Sequence, residues 1–243
     1  MNGYVIIGGA GGIGSATCAL LAEQGNQVVA GVRDLATVPE SRRLKGIQYR
    51  QVDAEDWDSV DHFFADLDNE DFPLVGVALC VGSILLKPAH LTRKEEFDAV
   101  IGKNLSTAFA TVRSASKRLS KNGGSIVLIS TAAARHGYAN HEAIAAAKGG
   151  VLGLTLSAAA TYAPRGIRVN CVAPGLVNTP LAERITSNSS ALNTSERLHA
   201  LGRIGEPNEV ARAIQWLLSP EQSWVTGQTI GVDGGLSTVR SMG

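Results

Sequence analysis

The sequence predicts an α/β fold, a doubly wound parallel sheet of seven strands in a single domain over residues 1–243, and three observations carry that expectation. Short runs rich in Val and Ile alternate with longer segments of helical period, and the runs are apolar on both faces. No linker, internal repeat or low-complexity stretch divides the chain. A sheet buried on both faces and crossed repeatedly by helices is parallel, with right-handed crossovers. At 243 residues, with 44% hydrophobic side chains, the chain can bury one large core.

In chain order, strands are expected at 4–8 (YVIIG), 27–32 (QVVAGV), 47–52 (IQYRQV), 74–81 (LVGVALCV), 125–130 (SIVLIS), 167–173 (IRVNCVA) and 228–233 (QTIGVD). Helices are expected between them at 13–24, 57–67, 94–119, 141–162 and 208–218. The stretch 178–203, NTPLAERITSNSSALNTSERLHALGR, has a weak pattern and many Ser and Asn residues, which predicts a mobile surface excursion serving as a substrate lid. Leu181, Ile185, Leu192, Leu198 and Leu201 would give that lid an apolar underside.

Charge narrows the partners. With 22 basic and 22 acidic side chains the formal charge is zero, which argues against nucleic acid or an anionic membrane surface as a partner. The chain is in strand-like sequence by its fourth residue, so a cytoplasmic location is expected. No apolar run reaches the roughly eighteen residues of a membrane span; the longest candidate is 149–163. Cys18, Cys80 and Cys171 stand apart in apolar contexts and read as small buried side chains, with no metal site implied.

The strongest chemical signal is VIIGGAGGIGSATCALLAEQG, where a strand turns into a helix through glycines at 8, 9, 11, 12 and 14. Such a turn lets backbone approach a pyrophosphate, and the helix start presents free N–H groups and the positive end of its dipole. A dinucleotide fits here, and the fold expected is therefore Rossmann-like.

From this loop onward the chain resembles the short-chain dehydrogenase/reductase family, over residues 3–236. The family's Gly-x-x-x-Gly-x-Gly loop matches Gly8, Gly12 and Gly14, with Ile13 between the last two, although the threonine usual just before it is Ile7. VDAED resembles the segment whose aspartate, Asp53, contacts adenine, and LCVG keeps Gly82 beside the adenosine ribose. KNLSTAF carries the family's structural and relay asparagine as Asn104. RVNCVAPGLVNTP is similar to the segment that positions nicotinamide, through Pro174, Gly175, Val177 and Thr179. The resemblance implies a homodimer or homotetramer, and the small side chains of AIAAAKGGVLGLTLSAAATYA would let helices 94–119 and 141–162 pack closely on their symmetry mates.

The catalytic set departs from the family pattern. There a serine precedes a tyrosine by thirteen residues and the tyrosine precedes a lysine by four; counting back from Lys148 puts Ile144 at the tyrosine position and Thr131 at the serine position. The usual proton donor is missing. By the resemblance, Lys148 keeps its role on the nicotinamide ribose and loses the phenol whose pKa it would lower. Seven residues is about two helical turns, so His141 shares a face with Lys148, about one 4.5 Å step beyond position 144. The spacing resembles the enoyl-thioester reductase branch, with histidine in its tyrosine's place. Imidazole can donate a hydrogen bond or a proton near neutral pH. His141 is thus the leading donor, with Tyr138, Thr131 and Ser130 as alternatives and a merely structural helix start as the other reading of His141.

Cofactor choice is written at the end of the second strand, VVAGVRD. Val32 followed by Arg33 fits members that bind a 2′-phosphate, so NADP(H) is expected over NAD(H), although Asp34 could neutralise Arg33 or bond a ribose itself. Three functions follow. One is an NADPH-dependent oxidoreductase acting on a small, mostly apolar carbonyl or activated alkene with a donor other than tyrosine. The second is a catalytically silent dinucleotide-binding regulator or subunit. The third is a lyase or isomerase using the fold without net redox change.

Overall fold

A computed structural model of the protein describes residues 1–70 and 72–239, apart from the Arg42 side chain. Strands β1 (Gly3–Ile7), β2 (Gln27–Val32), β3 (Ile47–Gln51), β4 (Leu74–Leu79), β5 (Gly124–Ile129), β6 (Ile167–Pro174) and β7 (Thr229–Val232) form one sheet in the order β3-β2-β1-β4-β5-β6-β7. Every pairing is parallel. The order reverses between β1 and β4, and in open α/β sheets the crevice beyond the strand ends at such a reversal is where ligands bind.

Alternation along β1 divides the core. Tyr4 and Ile6 face one side, with Cys18 and Leu21 of α1 (Gly12–Glu23) and Val210, Ile214 and Leu217 of α8 (Pro207–Leu218). Val5 and Ile7 face the other, with Phe63, Phe64 and Leu67 of α2 (Trp57–Asn69), Val112 of α4 (Thr107–Leu119) and Val151 of α5 (Glu142–Tyr162). Each such side chain, fully buried, contributes about 1.5–3 kcal/mol.

The helix expected at 94–119 is not continuous. It divides into α3 (Lys94–Ile101), a π-helical turn (Gly102–Ser106) and α4. The Asn104 Nδ2 donates to the Val100 carbonyl and the Thr107 hydroxyl to the Lys103 carbonyl, so side chains take up main-chain acceptors at the wide turn. Such turns interrupt helices frequently at functional sites, and this one buries Asn104 at 1% exposure.

The lid is also more regular than its sequence predicts. It contains α6 (Glu183–Thr186) and α7 (Ser189–Leu198), and the Asn188 side chain caps α7 by accepting from the Ala191 N–H. The Ser and Asn residues that suggested an irregular excursion partly serve as caps and exposed helix faces. Helix α5 with its following turn, Glu142–Arg165, is long and apolar enough by composition to cross a membrane, contrary to the estimate from uninterrupted apolar runs. Here it packs beside β6 and α4, with Val151, Thr155, Ala158 and Ala159 buried.

Candidate active site

Two clefts open at the carboxyl ends of the strands on either side of the reversal. The first is lined by Gly8, Ala10, Gly11, Gly31, Val32, Arg33, Asp34, Thr37, Asp53, Glu55 and Val81. Gly8 has φ +84°, and a Cβ there would lie 2.9 Å from the Cys80 carbonyl carbon, so the turn needs glycine for conformation and for space. Gly14 packs its Cα side directly against the Gly8 carbonyl, which lets α1 start tight against β1. Gly11 caps α1 without a side-chain bond, leaving first-turn N–H groups for an anion. These residues fit a dinucleotide's diphosphate.

The side chains around this cleft divide cleanly. Asp34 is consumed locally: its carboxylate accepts the Ala36 N–H at 2.8 Å. Arg33 is exposed and makes no ion pair with Asp34 among the described residues. Asp53 braces its own turn, accepting from the Glu55 N–H through Oδ1 at 3.0 Å while its N–H donates to the Ser59 hydroxyl at 3.0 Å.

The second cleft gathers Ile13, Cys80, Gly82, Ser83, Ile84, Asn104, Ser130, Thr131, Ile144, Lys148, Pro174, Gly175, Val177, Thr179 and Leu181. Lys148 is 7% exposed and its Nζ donates to the Ile129 carbonyl at 2.8 Å. No carboxylate stands beside it among the described residues. Burial pulls its ammonium down to about 8, although the thiols of Cys171 and Cys80 act the other way. The same burial pushes the Cys80 thiol up to about 12 and Cys171 to about 11, so neither is a thiolate at neutral pH.

Asn104 reaches this cleft through the π-helical turn. Its Oδ1 accepts from the Ser83 N–H at 3.1 Å and its Nδ2 donates to the Ser83 Oγ at 2.9 Å. Gly82 lies between Asn104 and Lys148: a Cβ there would stand 2.9 Å from the Asn104 Oδ1 and 3.4 Å from the Lys148 Nζ. Gly82 lines the lysine end, and its neighbour Val81 lines both clefts.

Hydroxyl groups near Lys148 are mostly committed. Ser130 donates to the Lys148 carbonyl at 2.9 Å. Tyr138 donates to the Leu236 carbonyl at 2.7 Å, and burial, helped by the Asp233 charge, raises its pKa. Thr131 accepts the Ala133 N–H at 3.3 Å and still lines the cleft, so its hydroxyl hydrogen is available. Ile144 is 5% exposed and packs with Val100, Ala143 and Ala147, filling the expected tyrosine position with hydrocarbon.

His141 falls elsewhere than the helical count suggests. It is the N-cap of α5, with φ −108° and ψ 12°, and its carbonyl accepts the Ala145 N–H at 2.7 Å as the first bond of the helix. It lines an adjoining lobe with Ile84, Leu86, Thr131, Tyr138, Ile144, Leu198 and Leu236; the lysine cleft shares only part of that lining, and His141 is not in it. Its Nδ1 lies 2.8 Å from the Ala139 carbonyl, which only accepts. The neutral ring therefore carries its proton on Nδ1 and offers a bare Nε2 to the lobe; only the imidazolium donates there.

Of the lid's apolar residues, Leu181 lines the lysine cleft, Ile185 and Leu198 line the lobe, and Leu201 borders a separate cavity beside Asp233. Sequence reasoning did not single out Ser83, which pairs with Asn104, or His199, a 3%-exposed imidazole against the lid's hinge. An isolated serine after a glycine and an isolated histidine in a polar stretch carry no spacing signal.

A sequence profile described as Enoyl-(Acyl carrier protein) reductase matches residues 8–237. The chain is 35% identical over 252 aligned positions to the 3-oxoacyl-[acyl-carrier-protein] reductase FabG of Thermotoga maritima, covering 96% of each. A short-chain type dehydrogenase/reductase from Mycobacterium ulcerans superposes with a TM-score of 0.90 at 29% identity, over 99% of this chain and 91% of that one. ElxO with NADP bound superposes with a TM-score of 0.89 at 25% identity, over 97% and 98%. With clefts at the sheet reversal and a profile match over nearly the whole chain, the protein belongs to the short-chain dehydrogenase/reductase family of NAD(P)-dependent oxidoreductases.

Proposed function

We propose that the protein is an NADP(H)-preferring oxidoreductase acting on a small, mostly apolar activated alkene or carbonyl compound, with a proton or hydrogen-bond donor other than tyrosine. The observation that carries this reading is the second cleft: a buried, carboxylate-free Lys148 faces it while Ile144 replaces the phenol with hydrocarbon.

The nicotinamide cofactor would supply the hydride. The chain's own residues divide the remaining work. Gly8, Gly12, Ile13 and Gly14 form the phosphate turn, Asp53 borders the adenine end, and Arg33 is the cation for a 2′-phosphate because Asp34 is already occupied. Lys148 holds the nicotinamide ribose hydroxyls, and Pro174, Gly175, Val177 and Thr179 wall the nicotinamide end with Gly82 and Asn104 beside it. Val32 ends β2 without a carboxylate, which favours NADP(H) over NAD(H).

Ordinary ketone reduction needs a proton on the forming alkoxide, and general acid catalysis contributes about a hundredfold to ten-thousandfold. An enone or quinone spreads the charge into an enolate, for which the Thr131 hydroxyl, the Lys148 charge or the protonated His141 ring suffices as a hydrogen-bond donor. Solvent completes the protonation. The reading also takes the protein as cytoplasmic and as a homodimer or homotetramer.

The test is NADPH oxidation against matched ketones, quinones and enones. Turnover of quinones or enones with poor turnover of the matched saturated ketones supports the reading. Tight NADPH binding with no turnover of any acceptor sinks it in favour of a silent dinucleotide-binding regulator or subunit, which the hydrocarbon at Ile144 and the committed Tyr138 hydroxyl also favour.

A further inference from the structure

His199 terminates α7 at the back of the lysine cleft, and both its ring nitrogens are engaged. The Nδ1 lies 2.6 Å from the Ser195 carbonyl, and the Leu176 N–H donates to Nε2 at 3.2 Å. Because a carbonyl only accepts and an N–H only donates, one neutral tautomer makes both bonds, with its proton on Nδ1. The ring also lies hard against Gly175: a Cβ there would stand 2.5 Å from Nε2. Beyond it, the Gly175 N–H donates to the Val232 carbonyl at 3.2 Å and the Gly205 N–H to the Leu176 carbonyl at 2.9 Å. One imidazole thus joins the end of the lid helix to the stretch Pro174, Gly175 and Leu176, which walls the cleft of Lys148.

We propose that His199 is a positioning residue that ties lid helix α7 to the nicotinamide-end wall, so that the wall is set for the cofactor only while the imidazole is neutral. This rests on the NADP(H) reading above. Protonation at Nε2 would set a donor against the Leu176 N–H donor and release the wall from the lid. The ring's surroundings do not supply a substitute partner. Across the cavity, the Asp233 carboxylate is occupied by the N–H groups of Gly235 and Ser237 and by the Ser237 hydroxyl. Arg203 and Glu209 pair with each other, Tyr138 is bonded to Leu236, and His141, which lines the lobe together with His199, has its Nδ1 against the Ala139 carbonyl. On α7 itself, Glu196 and Arg197 precede the ring.

The experiment compares binding of NADPH and of 2′,5′-ADP, which lacks the nicotinamide end, to the parent, His199→Phe and His199→Gln proteins across pH. His199→Phe keeps a flat ring and removes the acceptor; NADPH should bind about tenfold more weakly while 2′,5′-ADP binds as to the parent. His199→Gln places an amide that can still accept from Leu176; it should restore NADPH affinity, and without a titrating ring it should not lose affinity as the pH falls, as the parent does. Equal NADPH affinity in His199→Phe and parent, equal weakening of both ligands, or the same acid-side loss in parent and His199→Gln each overturns the proposal. The last comparison stands even if His199→Phe does not fold. A parent protein that binds neither ligand overturns the cofactor reading itself.

Discussion

The two ends of the crevice are built from the same strand tips but specified differently. At the phosphate end, recognition comes mainly from backbone: glycine conformation at Gly8, close packing at Gly14 and the uncapped start of α1. At the lysine end the lining is made by individual side chains, and there the proposed reading turns on one residue, the buried Ile144. Backbone-borne binding tolerates sequence drift, whereas side-chain chemistry turns on a single position. On the proposed reading, the difference is how a chain can keep a dinucleotide crevice while hydrocarbon stands at position 144.

The largest expected effect sharpens this contrast directly. Ile144→Tyr should raise reduction of unactivated ketones by about a hundredfold to ten-thousandfold in kcat, because it supplies a phenol on the face that carries Lys148. Ile144 is packed with Val100, Ala143 and Ala147, so the larger ring should also lower stability by about 1–3 kcal/mol, readable by denaturant unfolding. Unchanged ketone turnover in a folded variant would mean that the phenol is not what the lysine end lacks.

Next in size is His141→Ala, which should lower kcat by up to about a hundredfold with NADPH affinity nearly unchanged, since His141 lines the lobe and not the lysine cleft. Unchanged kcat in the variant would move the role to Thr131.

At the phosphate end, Arg33→Ala should reduce the preference for NADPH over NADH by about tenfold or more, the loss of a charge-assisted contact of about 1.5–3 kcal/mol. Comparing dissociation constants for the two cofactors checks it, and equal values in the parent would refute it.

The smallest effect is a pH limb set by Lys148. Its folded pKa, about 8, lies below its unfolded value, so the unfolded chain binds more protons between that value and about 10.4, and stability should rise with pH across that window. Nicotinamide-end binding, to which the proposed function assigns the ammonium, should instead weaken as the pH climbs through about 8. Lys148→Met should abolish that limb in NADPH titrations while leaving the affinity for 2′,5′-ADP alone.

The fold was legible because it is written in patterns. Paired-face apolar runs gave all seven strands, and the glycines at 8, 12 and 14 located the crevice. What the sequence placed together at the lysine end, Lys148 and Ile144 on α5 and Thr131 just beyond β5, does line one cleft, because strand ends and helix register fix where side chains meet. His141 is the cap of its helix, and its Nδ1 is committed to a local carbonyl that no spacing reveals. Asn104 depends on a π-helical turn that helical periodicity reads as continuous helix. His199 acquires its partners across the lid hinge, from a segment 23 residues earlier in the chain.

Assembly offers a further check. Phe109 and Leu156 on α4 and α5 are exposed at 49% and 61%, as expected of helices that pair with symmetry mates. Sedimentation should therefore give a dimer or tetramer at micromolar concentration, and a monomer alone would leave that face needing another partner.

The most direct test of the proposed division between a backbone-built binding end and a chemical end without a tyrosine is deuterium transfer from NADPH deuterated at C4, offered an enone and its saturated ketone in parallel. The account predicts deuterium at the β-carbon of the enone product and reduction of the saturated ketone slower by about a hundredfold or more. Deuterium at the carbonyl carbon at comparable rates in both substrates, or no transfer from a cofactor that binds tightly, would contradict it.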